Sequence, residues 1–264
     1  MPRSSKQLNR SFRIFTGIML VAIGSFLAWY LYKQSRQLSH LSDSETTFKM
    51  YPGFGIPLPE GYEVHGIDVS RYQQSVNWPL VHNMREREVK LQFAFIKATE
   101  ADYLVDVAFS RNWRKSREAG ITRGAYHFFR FGVPAASQAR LFINTVKLQP
   151  GDLPPVLDVE VFGGTDKEAL QNEVQLWLQL IEQHYQLKPI IYTNASFYNR
   201  WLWPRFNEYP LWVAHYFERR QPRVNRNWQF WQHNESGRVN GIKSFVDFNV
   251  FNGSRADFEA LLKR

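Results

Sequence analysis

The 264-residue chain has no cysteine, which excludes disulfides and thiolate-held metal and leaves an oxidising compartment permitted but unmarked. No His-x-x-x-His pair occurs among its seven histidines. His127, His215 and His233 lie far apart in the chain, so no metal and no cofactor is expected. Nucleic-acid motifs, internal repeats and low-complexity tracts are also lacking. Acidic residues are in deficit, 24 against 33 Lys and Arg, and the formal charge of +9 favours an anionic partner. The basic residues are scattered rather than gathered on one helix, which sets nucleic acid aside and leaves a phospholipid surface or an acidic wall polymer.

Long apolar runs are missing as well, with one exception. Ile14 to Tyr32 is nineteen residues without a charge, enough to cross a hydrocarbon core of about 30 Å as a helix. Trp29, Tyr30 and Tyr32 sit at one end of it, and Arg3, Lys6, Arg10 and Arg13 precede it. By the charge rule the N-terminus is expected inside and the rest outside a cytoplasmic membrane. A cleaved signal peptide is the competing reading, but the run is long for one and no small-x-small site follows before Lys33. The expected organisation is therefore a cytoplasmic tail (1–13), a single-pass anchor in the bilayer (14–32), a Pro- and Gly-rich stalk (33–61) and a globular domain (62–264).

What is present in abundance is apolar and aromatic material, 44% and 16% of the residues, enough for a full core. From Val64 onward short apolar runs alternate with amphipathic segments, the pattern of an α/β chain with a parallel sheet. Strands are predicted at 64–70, 92–97, 124–128, 155–160, 189–192, 211–215, 229–232 and 246–249. Helices are predicted at 106–119, at 134–148 and after Thr165-Asp-Lys-Glu168, which reads as a capping box. Beyond Tyr192 only a short helix, 196–203, is expected. The fold class predicted is an irregular (β/α) TIM-like barrel, with regular helices in its first half and reduced ones in its second, preceded by one transmembrane helix.

The most informative stretch is Leu153-Pro-Pro-Val-Leu-Asp158-Val159-Glu160. On a strand, residues two apart share a face, which puts the Cα atoms of Asp158 and Glu160 roughly 6.6 to 7 Å apart. An apolar strand ending in two carboxylates needs an open polar mouth, because an unpaired buried charge is costly. Paired carboxylates in unequal environments suit glycosidic cleavage, one held protonated as the acid and the other ionised. The plainer reading, surface ion pairs or a helix cap, is outweighed by the polar residues at the other strand ends: Asp68, Lys97 and Glu100, Tyr126, Tyr192, Trp212, Gln232 and Asp247.

Eight segments in order, Gly66-Ile-Asp-Val-Ser70, Phe95-Ile-Lys-Ala-Thr-Glu100, Gly124-Ala-Tyr-His-Phe128, Pro155-Val-Leu-Asp-Val-Glu160, Ile191-Tyr-Thr193, Leu211-Trp-Val-Ala214, Phe230-Trp-Gln232 and Val246-Asp-Phe-Asn249, resemble the signature of glycoside hydrolase family 25. These are the Chalaropsis-type lysozymes, N-acetylmuramidases. The resemblance implies that peptidoglycan glycan strands are the partner and that Glu160 is the general acid. It also implies that Asp158 stays ionised to orient the substrate's N-acetyl group or to stabilise the oxocarbenium-like state, with Asp68 and Asp247 as the other two cleft acids. Tyr126, Tyr192 and Trp212 are expected against the sugars, with Gln232 as a hydrogen-bonder. The two-residue spacing falls between the carboxylate separations of retaining and inverting enzymes, and the likeness points to the substrate's acetamido group as nucleophile. The sequence departs from the family at Ala101, where glycine is usual. A membrane-tethered muramidase is the reading that follows, with a non-catalytic wall-binding module and a hydrolase of another N-acetylated polysaccharide as alternatives.

Overall fold

The computed structural model describes residues 47–264, apart from 165 and 217. It begins with two short strands, β1 (Phe48–Tyr51) and β2 (Ile56–Pro59), then β3 (His65–Val69) and α1 (Trp78–Asn83). Next come β4 (Arg85–Glu86), β5 (Val89–Glu100), β6 (Leu104–Val105), α2 (Phe109–Glu118) and β7 (Thr122–Phe128). The chain continues through α3 (Ala135–Thr145), β8 (Val156–Asp158), α4 (Lys167–Tyr185), β9 (Ile190–Asn194) and α5 (Ala195–Phe197), the last running into a π-helical turn, Tyr198–Leu202. It closes with β10 (Leu211–Ala214), β11 (Phe230–Gly237), β12 (Val246–Phe251) and α6 (Arg255–Ala260).

A barrel closes because β3 pairs with both β5 and β12, and the order between them runs β5, β7, β8, β9, β10, β11. All neighbours are parallel except at β12, which is antiparallel to β11 and to β3. The expectation of a wholly parallel sheet is thus corrected at the last strand. A parallel partner needs a crossover connection, whereas β11 and β12 are joined by a short loop, and that geometry requires reversal.

Period-2 alternation along the strands divides the apolar residues into two layers. Inward-facing Phe93, Phe95, Val156, Ile190, Trp212, Phe230 and Phe251 fill the barrel, and Phe258 of α6 joins them, its ring centroid 5.5 Å from that of Phe93 and 5.4 Å from that of Phe251. Gly66 and Gly124 are what let these rings in. A Cβ at Gly66 would stand 2.5 Å from the Phe93 ring, and one at Gly124 would stand 2.6 Å from the Phe95 ring. The outward residues form the larger core beneath the helices, with Trp177, Leu178 and Ile181 of α4 and Phe142 of α3 fully buried. The start of α4 differs in detail from the predicted box: Asp166 is the N-cap, its side chain accepting from the Ala169 amide.

Two expectations about the N-terminal part are corrected. Residues 48–59, predicted as stalk, form a hairpin packed into the core. The hairpin covers the outer face of β11 and β12: Phe54 lies 5.2 Å from Phe248 and Phe48 lies 5.9 Å from Trp231, centroid to centroid. Tyr51, Phe54, Ile56 and Leu58 are buried there. Of the prolines that suggested irregular chain, Pro57 and Pro59 sit in an edge strand, where a missing N–H is tolerated, and Pro52 opens the turn. Gly55 takes φ +69 at the turn.

The second correction concerns the membrane. Among the described residues no helix is long and apolar enough to cross one. The tail (1–13) and the run 14–32 lie outside the described residues. Among the described residues the architecture is an irregular barrel with flanking helices and no transmembrane helix. The bilayer partner, the single-pass localisation and the anchored form of the function rested on that helix and fall with it.

Candidate active site

The open end of the barrel holds a cleft of about 460 Å³. All eight residues singled out in the sequence line it: Asp68, Tyr126, Asp158, Glu160, Tyr192, Trp212, Gln232 and Asp247. Seven of them stand on parallel strands or just past one: Asp68, Asp158 and Glu160 at or beyond the C-terminal ends of β3 and β8, Tyr126 and Tyr192 two residues before the ends of β7 and β9, and Trp212 and Gln232 within β10 and β11. Asp247 does not. It stands near the start of antiparallel β12, directly across from Asp68, so that reversing the strand brings its beginning to the same rim. Glu160 lies two residues beyond the end of β8, after Val159, which is fully buried and whose amide donates to the Tyr192 carbonyl at 3.0 Å.

A hydrogen-bond chain fixes one side of the cleft. The Tyr192 hydroxyl donates to Gln232 Oε1 (2.8 Å), and Gln232 Nε2 donates to Asp68 Oδ2 (2.8 Å). The Trp212 indole N–H donates to Asn249 Oδ1 (2.7 Å), and Asn249 Nδ2 donates to the same Asp68 oxygen (2.8 Å). Tyr216 adds a second hydroxyl on Gln232 Oε1. The indole can only donate, which orients the Asn249 amide, and with two hydroxyls on Gln232 Oε1 its Nε2 is left toward Asp68, so two N–H groups converge on Asp68. Burial pushes the Asp68 carboxyl up to about 6, and those donors keep it below its partner. Its hydrogen-bonded partner Asp247 lacks them and carries the pair's proton. Burial and the Asp68 charge both push the Asp247 carboxyl far above the ordinary carboxylate range.

Tyr192, Trp212 and Gln232 are therefore more enclosed than residues free to stack on a sugar. Trp212 is 1% exposed, with Phe95 stacked on it at 4.3 Å. These three form the floor and the framework of the site, while Tyr126, half-buried, stays open toward the acids. Burial, then the charge of Asp68, holds the Tyr126 phenol protonated and available as a donor.

On the other side, Asp158 is buried and its Oδ1 has no hydrogen-bond partner. Burial first, then the Glu160 charge, raises its carboxyl well above the usual range, with Lys97 pulling the other way. Burial with no donor on Oδ1 thus disfavours the Asp158 anion that the resemblance implies. Glu160 is raised too, by burial and then by Asp68, and opposed by Lys97.

Lys97 is held in place by Glu100, Nζ to Oε2 2.7 Å, whose other oxygen takes the Arg130 guanidinium at 2.6 Å. Burial pushes the Glu100 carboxyl up, and these two cations outweigh it and bring it below the usual range. Lys97 and Glu100 therefore buttress the rim, as expected. Ala101, the departure from the family pattern, is fully buried at φ 51, a left-handed backbone that glycine adopts without cost. Of the histidines, His127 is buried between Thr99 Oγ1 (2.7 Å) and Gln138 Oε1 (3.0 Å), behind the cleft wall. Among the described residues no group of three or more His, Asp or Glu is placed to hold a metal ion.

Sequence reasoning missed Tyr72, Gln73, Tyr216 and Glu235, which also line the cleft. Tyr216 had a signal, two residues past the inward-facing Ala214 at the end of β10. Glu235 had none, since the β11 register shifts between Gln232 and Asn234.

The model of "Glycosyl hydrolases family 25" matches residues 67–242, which include every residue lining the cleft except Asp247. The chain belongs to this family. The protein named "Uncharacterized protein YegX" of Escherichia coli (strain K12) is 49% identical over 215 residues, covering 81% of this chain and 79% of that protein. "Lysozyme M1" of Streptomyces globisporus is 36% identical over 213 residues, 75% of this family 25 chain and 71% of that lysozyme. Among solved structures, the family 25 glycosyl hydrolase from Bacillus anthracis superposes with a TM-score of 0.71 at 30% identity, covering 83% of this chain and 98% of that one.

Proposed function

We propose that this glycoside hydrolase is a muramidase, which cuts the β-1,4 bond between N-acetylmuramic acid and N-acetylglucosamine in peptidoglycan, with Glu160 as the general acid. The observation that carries this reading is the unpartnered Asp158 Oδ1, buried beside a carboxyl that is open to a saccharide-sized cleft. An acetamido N–H of the substrate supplies the missing donor. A hydrogen bond to the charged form favours ionisation, so binding drives Asp158 to its anion and leaves Glu160 as the group that keeps a proton. Glu160 then gives that proton to the glycosidic oxygen as the C1–O bond breaks, and the acetamido oxygen, aimed by the hydrogen bond from the acetamido N–H to Asp158, closes on C1. Water opens the resulting ring and returns a proton to Glu160. Asp68 and Asp247, with one proton between them, keep the far side of the cleft singly negative. Tyr126 donates to the sugar.

Glu160→Gln is expected to lower the release of reducing ends from purified peptidoglycan by about 10²- to 10⁴-fold while binding is retained. Mass spectrometry of the wild-type products should place the new reducing end on muramic acid. Equal rates in variant and wild type would remove Glu160 from the acid role, and reducing ends on glucosamine would exclude a muramidase.

A further inference from the structure

The cleft does not end at its acids. At Gln73, whose Nε2 donates to the Phe245 carbonyl at 3.2 Å, it meets a depression of about 260 Å³ bordered by Lys243 and Ser244. Those two residues also border a further depression of about 620 Å³ that reaches Arg238 and Phe245. No acidic side chain lines either one. Lys243 and Arg238 are exposed and have no carboxylate partner among the described residues. The Arg238 guanidinium lies 5.5 Å from the centroid of Phe245, a ring left 54% exposed.

Polarity thus changes sign along the groove, from five carboxyl side chains lining the cleft to unpaired cations beyond Gln73. An unbranched neutral glycan has no use for that change. A substrate with a neutral backbone and an acidic branch next to the reacting sugar matches it. We propose that the groove past Gln73 receives the carboxylate-bearing stem peptide attached to the substrate's muramic acid, an inference that rests on the muramidase reading of the cleft. Lys243 and Arg238 pair with the stem carboxylates, and the Phe245 ring gives the peptide an apolar rest. Exposed ion pairs of this kind contribute little singly and are screened by salt, so they act on KM rather than on the chemical step.

The test uses the full chain and its Lys243→Ala/Arg238→Ala variant on two substrates, intact peptidoglycan and the same glycan stripped of stems by an amidase. Wild type is expected to show a KM about three- to tenfold lower on stem-bearing strands, an advantage lost in the variant and at about 0.5 M salt. Rates on stripped strands should be the same for both proteins. Equal KM values of wild type on the two substrates, or a variant impaired equally on both, would overturn the stem site and leave the cleft reading intact. A wild type that cuts neither substrate defeats the muramidase reading, and the stem site with it.

Discussion

Replacing Asp247 with asparagine should make the protein more stable, and increasingly so as pH rises. Asp247 faces Asp68 across the β12–β3 pair, and Asp68 already receives two amide donors. Asp247 therefore stays protonated in the folded chain far above the 3.8 of a free aspartate, while in the unfolded chain it ionises near 3.8. Over the window between those two values the native state binds the extra proton, so wild-type stability falls as pH rises, by about 1.4 kcal/mol per pH unit. An asparagine Nδ2 donates to Asp68 as the carboxylic O–H did, and it has no proton to hold. The gain of Asp247→Asn should be near zero at about pH 4 and should approach an upper limit of about 4 kcal/mol at pH 7. Because the pair shares its charge and opens on one side to solvent, about 2 kcal/mol is the expected figure. Urea unfolding of both proteins at intervals from pH 4 to pH 8, with equal m-values, measures it. A difference that stays flat with pH, or an asparagine variant weaker throughout, would refute the shared-proton account.

Two further outcomes follow from the packing. Phe54→Ala should cost about 3–5 kcal/mol in the same unfolding assay, since the ring is fully buried against Phe248; a hairpin acting as a mere stalk would show almost no change. Gly124→Ala should destabilise by about 1–3 kcal/mol and lower activity as well, because its Cβ meets the Phe95 ring two residues before Tyr126; unchanged activity at equal stability would separate the barrel packing from the site.

Much of the site was legible in the sequence because period-2 alternation fixes which residues of a strand share a face. Asp158 and Glu160, and the polar ends of the other parallel strands, could be read that way as one rim, and the eight ordered segments tied them to a family. Alternation says nothing about the direction of a strand relative to its neighbours. The reversal of β12, and with it the facing of Asp247 on Asp68, was therefore invisible. Nor could composition reveal that Tyr51-Pro-Gly-Phe-Gly-Ile-Pro-Leu-Pro59 is a cover: that depends on the outer face of β11 and β12, which only the fold brings against it. Protonation was decided later still. Gln232 and Asn249 reach Asp68 from 164 and 181 residues away, and desolvation is a property of such distant neighbours, not of the residue that titrates. The sequence alone marked eight of the side chains that meet at the barrel's mouth, while the closed tertiary structure added Tyr72, Gln73, Tyr216 and Glu235 and decided which are buried, which are bonded and where their protons sit, since those depend on the environment that only folding creates.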